Sequence, residues 1–179
     1  MDIIETERLV LRPYVGADAQ RVLDIYSDIE VLRWLGDPPH VPMHGIDAAR
    51  ERIAAWAEQD AASRHEVHLA AVPRGGDELV ANVLVKRLPD DDQERYEVGW
   101  SAHPDAVGHG YVTEAARALL DAVFADGLDE VWCTMYPDNA ASAAVATRLG
   151  LADLGAVPDR WYGGLSRMFH TTREGWVSR

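Results

Sequence analysis

A single cysteine, Cys133, is all that the 179 residues of this chain contain, so no disulfide can form within it. No apolar run is long enough to span a bilayer as a helix. The opening residues, Met1-Asp2-Ile3-Ile4-Glu5, have neither the basic start nor the apolar stretch of a signal peptide. These absences predict a cytoplasmic protein with no membrane partner. A Lys/Arg block is missing too. Seventeen basic residues stand against 30 acidic ones, a formal net charge of −13, so nucleic acid is not an expected partner. The seven histidines show no metal-ligand spacing, and no metal is expected. There is no internal repeat and no low-complexity segment.

What is present suits one globular domain over residues 1–179: 47% of the residues are hydrophobic, enough for a full core. The acidity has two readings, solubility alone or attraction of cationic amines. Residues 8–13 alternate as a first strand, and residues 17–35 read as one or two helices closed by Asp37-Pro38-Pro39. Ile46, Ala49, Ile53 and Trp56 mark an amphipathic helix. Three strands follow, over 66–72, 79–87 and 95–103, joined by Pro73-Arg74-Gly75-Gly76-Asp77 and Pro89-Asp90-Asp91-Asp92-Gln93. Val112, Ala115, Ala116, Leu119, Leu120, Val123 and Phe124 form the clearest helical stripe. A strand over 130–136, a helix over 139–149 ended by Gly150, and two strands in the tail complete the order. This order predicts an α/β (α+β) fold, a mixed sheet with helices on both faces.

Between a strand and the clearest helix lies Val107-Gly108-His109-Gly110-Tyr111. Glycines there permit positive φ and a close approach to the backbone. The helix start adds unpaired N–H groups and the positive end of the dipole, a setting suited to a pyrophosphate. A tight strand-to-helix turn is the other reading of the same glycines. No Lys-Ser/Thr follows them, as a Walker A loop needs, and there is no third glycine for a dinucleotide fingerprint.

The segment from His103 to Ala115 resembles the coenzyme A-binding loop and helix of the GNAT superfamily of N-acetyltransferases. It is most similar to the subgroup that contains ribosomal-protein N-terminal alanine acetyltransferases. Glu5-Thr6-Glu7-Arg8-Leu9-Val10-Leu11-Arg12-Pro13, Tyr96-Glu97-Val98-Gly99-Trp100 and Asp138-Asn139-Ala140-Ala141-Ser142 through Leu151 resemble further segments of that subgroup, in the same order. Val107 and Val112 depart from its usual residues. The resemblance implies a mostly antiparallel sheet of about seven strands, with a V-shaped splay between two central parallel strands. It implies acetyl transfer from acetyl-coenzyme A, a co-substrate, to a small-molecule or peptide amine by direct attack, without a metal. A homodimer is compatible with it.

The resemblance also assigns residues. His103, Val107, Gly108, His109, Gly110, Tyr111, Val112 and Thr113 would line the coenzyme site, with a backbone N–H of Ser101 or Ala102 on the thioester oxygen. Asn139 would touch the pantetheine arm, cap its helix, or do both. Ser142 would protonate the leaving thiolate, or only bond back to a helix carbonyl. Glu97 sits in the polar row of its strand with Arg95, Gly99 and Ser101. It would be the base, acting through water, or else a structural carboxylate paired with a nearby Arg or Tyr. Trp34, Met43, Trp161 and Tyr162 would line the acceptor site, or serve packing alone. Cys133 reads as an inert buried thiol. The competing function is a non-catalytic acyl-coenzyme A binding module of the same fold.

Overall fold

Alternating apolar side chains build eight strands in the computed structural model, which describes residues 3–36 and 38–177. Met1, Asp2 and Asp37, which entered the expectations above, lie outside the described residues. The strands are β1 (Ile4–Glu5), β2 (Leu9–Arg12), β3 (Val67–Pro73), β4 (Ala81–Arg87), β5 (Tyr96–Ala102), β6 (Glu130–Met135), β7 (Ala152–Pro158) and β8 (Leu165–Thr172). They form one sheet in the order β1-β2-β3-β4-β5-β6-β8-β7. The strand beyond the expected seven or so is β1, only two residues long. Every neighbouring pair is antiparallel except β5 and β6, which are parallel.

The helices are α1 (Ala19–Ser27), α2 (Ile29–Leu32), α3 (Ile46–Ala62), α4 (Tyr111–Ala125), α5 (Ala140–Leu149) and α6 (Arg173–Val177). On one face of the sheet, Leu69, Val83, Val98, Val131 and Phe169 share a core with Leu119, Leu120 and Val123 of α4 and with Ala146 and Leu149 of α5. Each fully buried Leu or Val there contributes roughly 1.5–3 kcal/mol. That burial, more than helix propensity, holds α4 in place. The opposite face carries Ala70, in a second core with Val22 and Ile25 of α1 and Ala49 and Trp56 of α3.

Parallel strands need a long crossover, and α4 supplies the one between β5 and β6. It starts on Gly110, whose φ of +77° lies in the left-handed region. Its first turn is fastened to the start of the chain. Glu114 accepts from the Thr6 hydroxyl (2.6 Å), the Arg8 backbone N–H (2.9 Å) and Arg8 Nε (2.6 Å). Burial would raise the Glu114 carboxyl, but these donors outweigh it and hold it below its ordinary value. At the far end, Trp176 of α6 donates to Asp121 of α4 (2.7 Å).

Candidate active site

The parallel pair is joined at a single register position, Glu97 opposite Trp132. On the other side β5 stays paired with β4 along its whole length. The bonds Leu88 N–H to Arg95 O and His103 N–H to Val80 O fix which residues of β5 turn their amides to β4: the odd-numbered ones. Beyond Glu97, the amides of Trp100 and Ala102 therefore face the β6 side, while the Ser101 amide faces β4. Of the two residues expected to offer an N–H to the gap, the register favours Ala102. The Ser101 hydroxyl instead accepts from Asn82 (2.9 Å), whose oxygen accepts from Tyr14 (2.7 Å).

The glycine loop lies between β5 and α4, with Gly108 at φ +87° and Gly110 at φ +77°. Val107 is 65% exposed, so its departure from the family residue puts no bulk against the backbone. His109 stacks on Tyr111, and its carbonyl accepts from Arg8 Nη1 (3.0 Å). Val112 packs against the core and Thr113 follows in the first turn. His103 is less available than expected. It is buried, with Nδ1 2.7 Å from Asp105 and Nε2 3.4 Å from Asp24.

Arg21 grips Asp105 through two bonds (2.8 and 2.9 Å), and this, with His103, lowers its carboxyl from 3.8 to about 2. An acid lowered on folding stabilises the fold above its unfolded value, and that contribution is lost as pH falls through the folded value. Asp105→Asn should lower the melting temperature at neutral pH. It should also flatten the fall in melting temperature between about pH 4 and about pH 2. An unchanged acid slope would show that this turn does not contribute to acid unfolding.

At the start of α5, Asn139 is buried, and its side-chain oxygen accepts from Ser142 N–H (3.1 Å). The capping reading of Asn139 thus holds, and the cap occupies only its oxygen. Thr147 bonds back to Ala143 O (2.9 Å), but among the described residues no such bond ties the Ser142 hydroxyl to its helix.

Glu97 is a heavily engaged carboxylate, with its side chain 10% exposed. Its Oε1 accepts from the Tyr162 hydroxyl (2.5 Å) and lies 3.0 Å from Lys86 Nζ, while Oε2 accepts from Thr134 (3.0 Å). Burial first, and the Glu97 charge second, push the Tyr162 phenol well above its ordinary value, so this hydroxyl keeps its proton. Tyr162 arrives on the turn between β7 and β8, where Asp159 accepts from the Trp161 and Tyr162 amides (2.8 and 3.1 Å). Trp161 meets Trp132 edge to face and donates to Asp91 (3.1 Å).

The chain just after α2 reaches the end of β6. There Trp34 packs on Tyr136, whose hydroxyl donates to Gly36 O (2.7 Å). Met43 N–H bonds Tyr26 O (2.9 Å), and desolvation raises the half-buried Tyr26 phenol to about 12. The fold therefore brings Glu97, Tyr162 and Trp161 together over β5 and β6. Trp34 stands at the end of β6, and Met43 belongs to a separate groove beside Tyr26 and Leu32. Cys133 is buried and its thiol is pushed up by burial, as an inert thiol would be.

Residues 8–152 match the model of the acetyltransferase (GNAT) domain family. The chain belongs to the GNAT family. It is accordingly an acetyl-coenzyme A-dependent N-acetyltransferase by class. The uncharacterized N-acetyltransferase YnaD of Bacillus subtilis is 26% identical over 149 residues, 83% of this chain and 81% of that protein. Among solved structures, a GNAT acetyltransferase from Bacillus anthracis superposes with a TM-score of 0.78 at 22% identity, covering 97% of this chain and 99% of its own. RimJ of Mycobacterium smegmatis, solved with coenzyme A disulfide, gives 0.79 at 17% identity, with 97% and 88% covered. The ribosomal-protein-S5-alanine acetyltransferase of Vibrio fischeri gives 0.78 at 17%, with 98% and 99% covered.

Two residues of this GNAT site escape a reading of the sequence. Lys86 carries no local signal, although its position opposite Glu97 follows once the β4–β5 hairpin register is known. Asp91 reads as an ordinary turn residue. Its side chain is in fact 3% exposed and holds Arg95 and Trp161, and these bonds overcome burial to lower its carboxyl. Among the described residues no helix is long and apolar enough to cross a membrane, and no group of three or more His, Cys, Asp and Glu is placed to hold a metal ion.

Proposed function

We propose that this GNAT chain transfers the acetyl group of acetyl-coenzyme A to the amine of a small molecule or peptide by direct attack in a ternary complex. The observation that carries the reading is Glu97. It is a nearly buried carboxylate at the one register position where β5 and β6 meet, on the same strand as the amides that face the gap further along.

In this reading the amides of the Val107–Thr113 loop bind the pyrophosphate at the α4 start, where the helix dipole favours an anion. Asn139 presents its amide nitrogen to the pantetheine arm. The Ala102 N–H, facing the gap, bonds the thioester oxygen and stabilises the charge that develops there. Glu97 takes the proton of the incoming ammonium through water, because only the neutral amine has a lone pair to attack with. The Ser142 hydroxyl protonates the departing thiolate. Trp34, Trp161 and Tyr162 wall the acceptor space, with Met43 further out. Residues 1–179 act as one domain.

The test is thiol release from acetyl-coenzyme A across a panel of small amines and peptides with free N-termini. Release with none of them would favour a binding module instead. Coenzyme A and acetyl-coenzyme A should each raise the melting temperature. At a hundredfold excess over Kd the added stability is about 2.7 kcal/mol. ATP and NAD should give no comparable shift, and equal shifts from all four would overturn a specific coenzyme loop.

A further inference from the structure

We infer that Thr134 is a positioning residue of the reaction, a hydroxyl relay that passes the acceptor's proton to Glu97 Oε2. The inference rests on the reading above, in which Glu97 is the base and acts through water.

Ala102 lies five residues further along β5 than Glu97, so the carboxylate does not touch an amine placed before the thioester. The proton needs a path along the gap. The two carboxylate oxygens are not equally free to receive it. Oε1 takes two donors, the Tyr162 hydroxyl (2.5 Å) and Lys86 Nζ (3.0 Å). Neither donor lies on the path. Tyr162 comes from the β7–β8 turn and keeps its proton, and Lys86 stands on β4, with β5 between it and the gap.

Oε2 takes the Thr134 hydroxyl at 3.0 Å. Thr134 is on β6, the opposite wall of the gap, two residues past the partner of Glu97, Trp132. The strands are parallel, so Thr134 stands ahead of Glu97 in the direction of Ala102. It is half-buried, and water can reach it. A hydroxyl donates and accepts at once. With its hydrogen on Oε2, the Thr134 oxygen keeps lone pairs for a water on the Ala102 side. Strand geometry does not call for threonine, since valine suits a strand as well. What threonine adds is a group that can exchange protons with Glu97.

In the step, the acceptor ammonium gives one proton to water in the gap. That water passes a proton to Thr134 Oγ1 as the hydroxyl hydrogen moves to Glu97 Oε2. Each oxygen on the way gains one proton and loses one, so the amine ends one proton poorer and Glu97 one richer. The neutral amine attacks the thioester carbon, a C–N bond forms and the C–S bond breaks. The electron pair of that bond leaves on sulfur, which takes up a proton. The second proton lost by nitrogen passes to water.

Thr134→Val and Thr134→Ser are compared with the parent across pH, using acetyl-coenzyme A and the most active amine of the panel above. Coenzyme A affinity shows whether each variant keeps its fold. If Thr134→Val does not bind coenzyme A, Thr134→Cys, a poor hydrogen-bonding group, takes its place. On the plateau above the acidic limb, Thr134→Val should lower kcat by at least about tenfold, and Thr134→Ser should recover most of that loss. In a Glu97→Gln chain, Thr134→Val should cost little further rate, because the two residues act in series. A hydroxyl that only holds Glu97 predicts a different result. Its loss would raise the carboxyl and move the acidic limb up, with the plateau unchanged. That result would overturn the relay, as would a Thr134→Ser chain as slow as Thr134→Val, or fully additive losses in the double variant. A slow Glu97→Gln beside a Thr134→Val with a normal plateau strikes the relay alone. A Glu97→Gln of normal rate brings down the base reading beneath it as well.

Discussion

Glu97→Gln should lower kcat/KM by about 10²-fold or more, the usual scale for loss of a general base, with coenzyme A affinity nearly unchanged. The substitution is well matched to its surroundings. Glu97 Oε1 receives Tyr162 (2.5 Å) and Lys86 (3.0 Å), and both partners are donors that a Gln oxygen can accept. The new amide NH₂ then faces Thr134, whose hydroxyl donates to Glu97 at 3.0 Å and can turn to accept instead. Size and most hydrogen bonds survive, and what is lost is a group able to take a proton. The acidic limb of the pH–rate profile should change with the rate. A purely structural Glu97 predicts the reverse, a lower melting temperature with near-normal turnover. If rate and pH profile are both unaffected, water alone deprotonates the acceptor and Glu97 is not the base.

The parts of this fold that can be read from the sequence are those set by local rules. The stripe from Val112 to Phe124 marks α4, because burial every three or four residues is visible along the chain. Asn139 and Gly150 mark the ends of α5, where a cap and a left-handed residue are local requirements. Contacts between distant segments are not legible in the same way. Tyr162 reaches Glu97 across 65 positions, and Arg8 reaches Glu114 across 106. The opening segment and the α4 segment both resemble the family, yet nothing local says that one clamps the other. His103 shows the opposite failure. Its neighbours make a coenzyme loop, but its own ring is taken up by Asp105 and Asp24, and Asp24 lies too far back in the chain to form a pattern with it. The register of β5 settles which amides face the gap, and that depends on how the β4–β5 hairpin closes rather than on the strand alone.

Gly110→Val should weaken coenzyme A binding by at least about tenfold, roughly 1.4 kcal/mol. The reason is the backbone. A Cβ built on Gly110 would come no nearer than 3.5 Å to any neighbouring atom, the Arg8 guanidinium nitrogen, which is ordinary contact. The φ of +77° is the obstacle, because left-handed backbone costs an L-residue about 1–2 kcal/mol and a β-branched one more. The variant can relieve that strain only by rotating the peptide that starts α4, which turns the loop amides from the position where they would meet the pyrophosphate. If the strain is kept instead, the melting temperature should drop by about 2–4 °C for each kcal/mol. Gly108→Val, at φ +87° with no atom within 4 Å of the added Cβ, makes a matched comparison in the same loop. Calorimetric titration with coenzyme A, read beside the melting temperature, separates the two effects. Unchanged affinity in a folded Gly110→Val chain would place the phosphates away from this loop, and the assignment of residues 107–113 would fall with it.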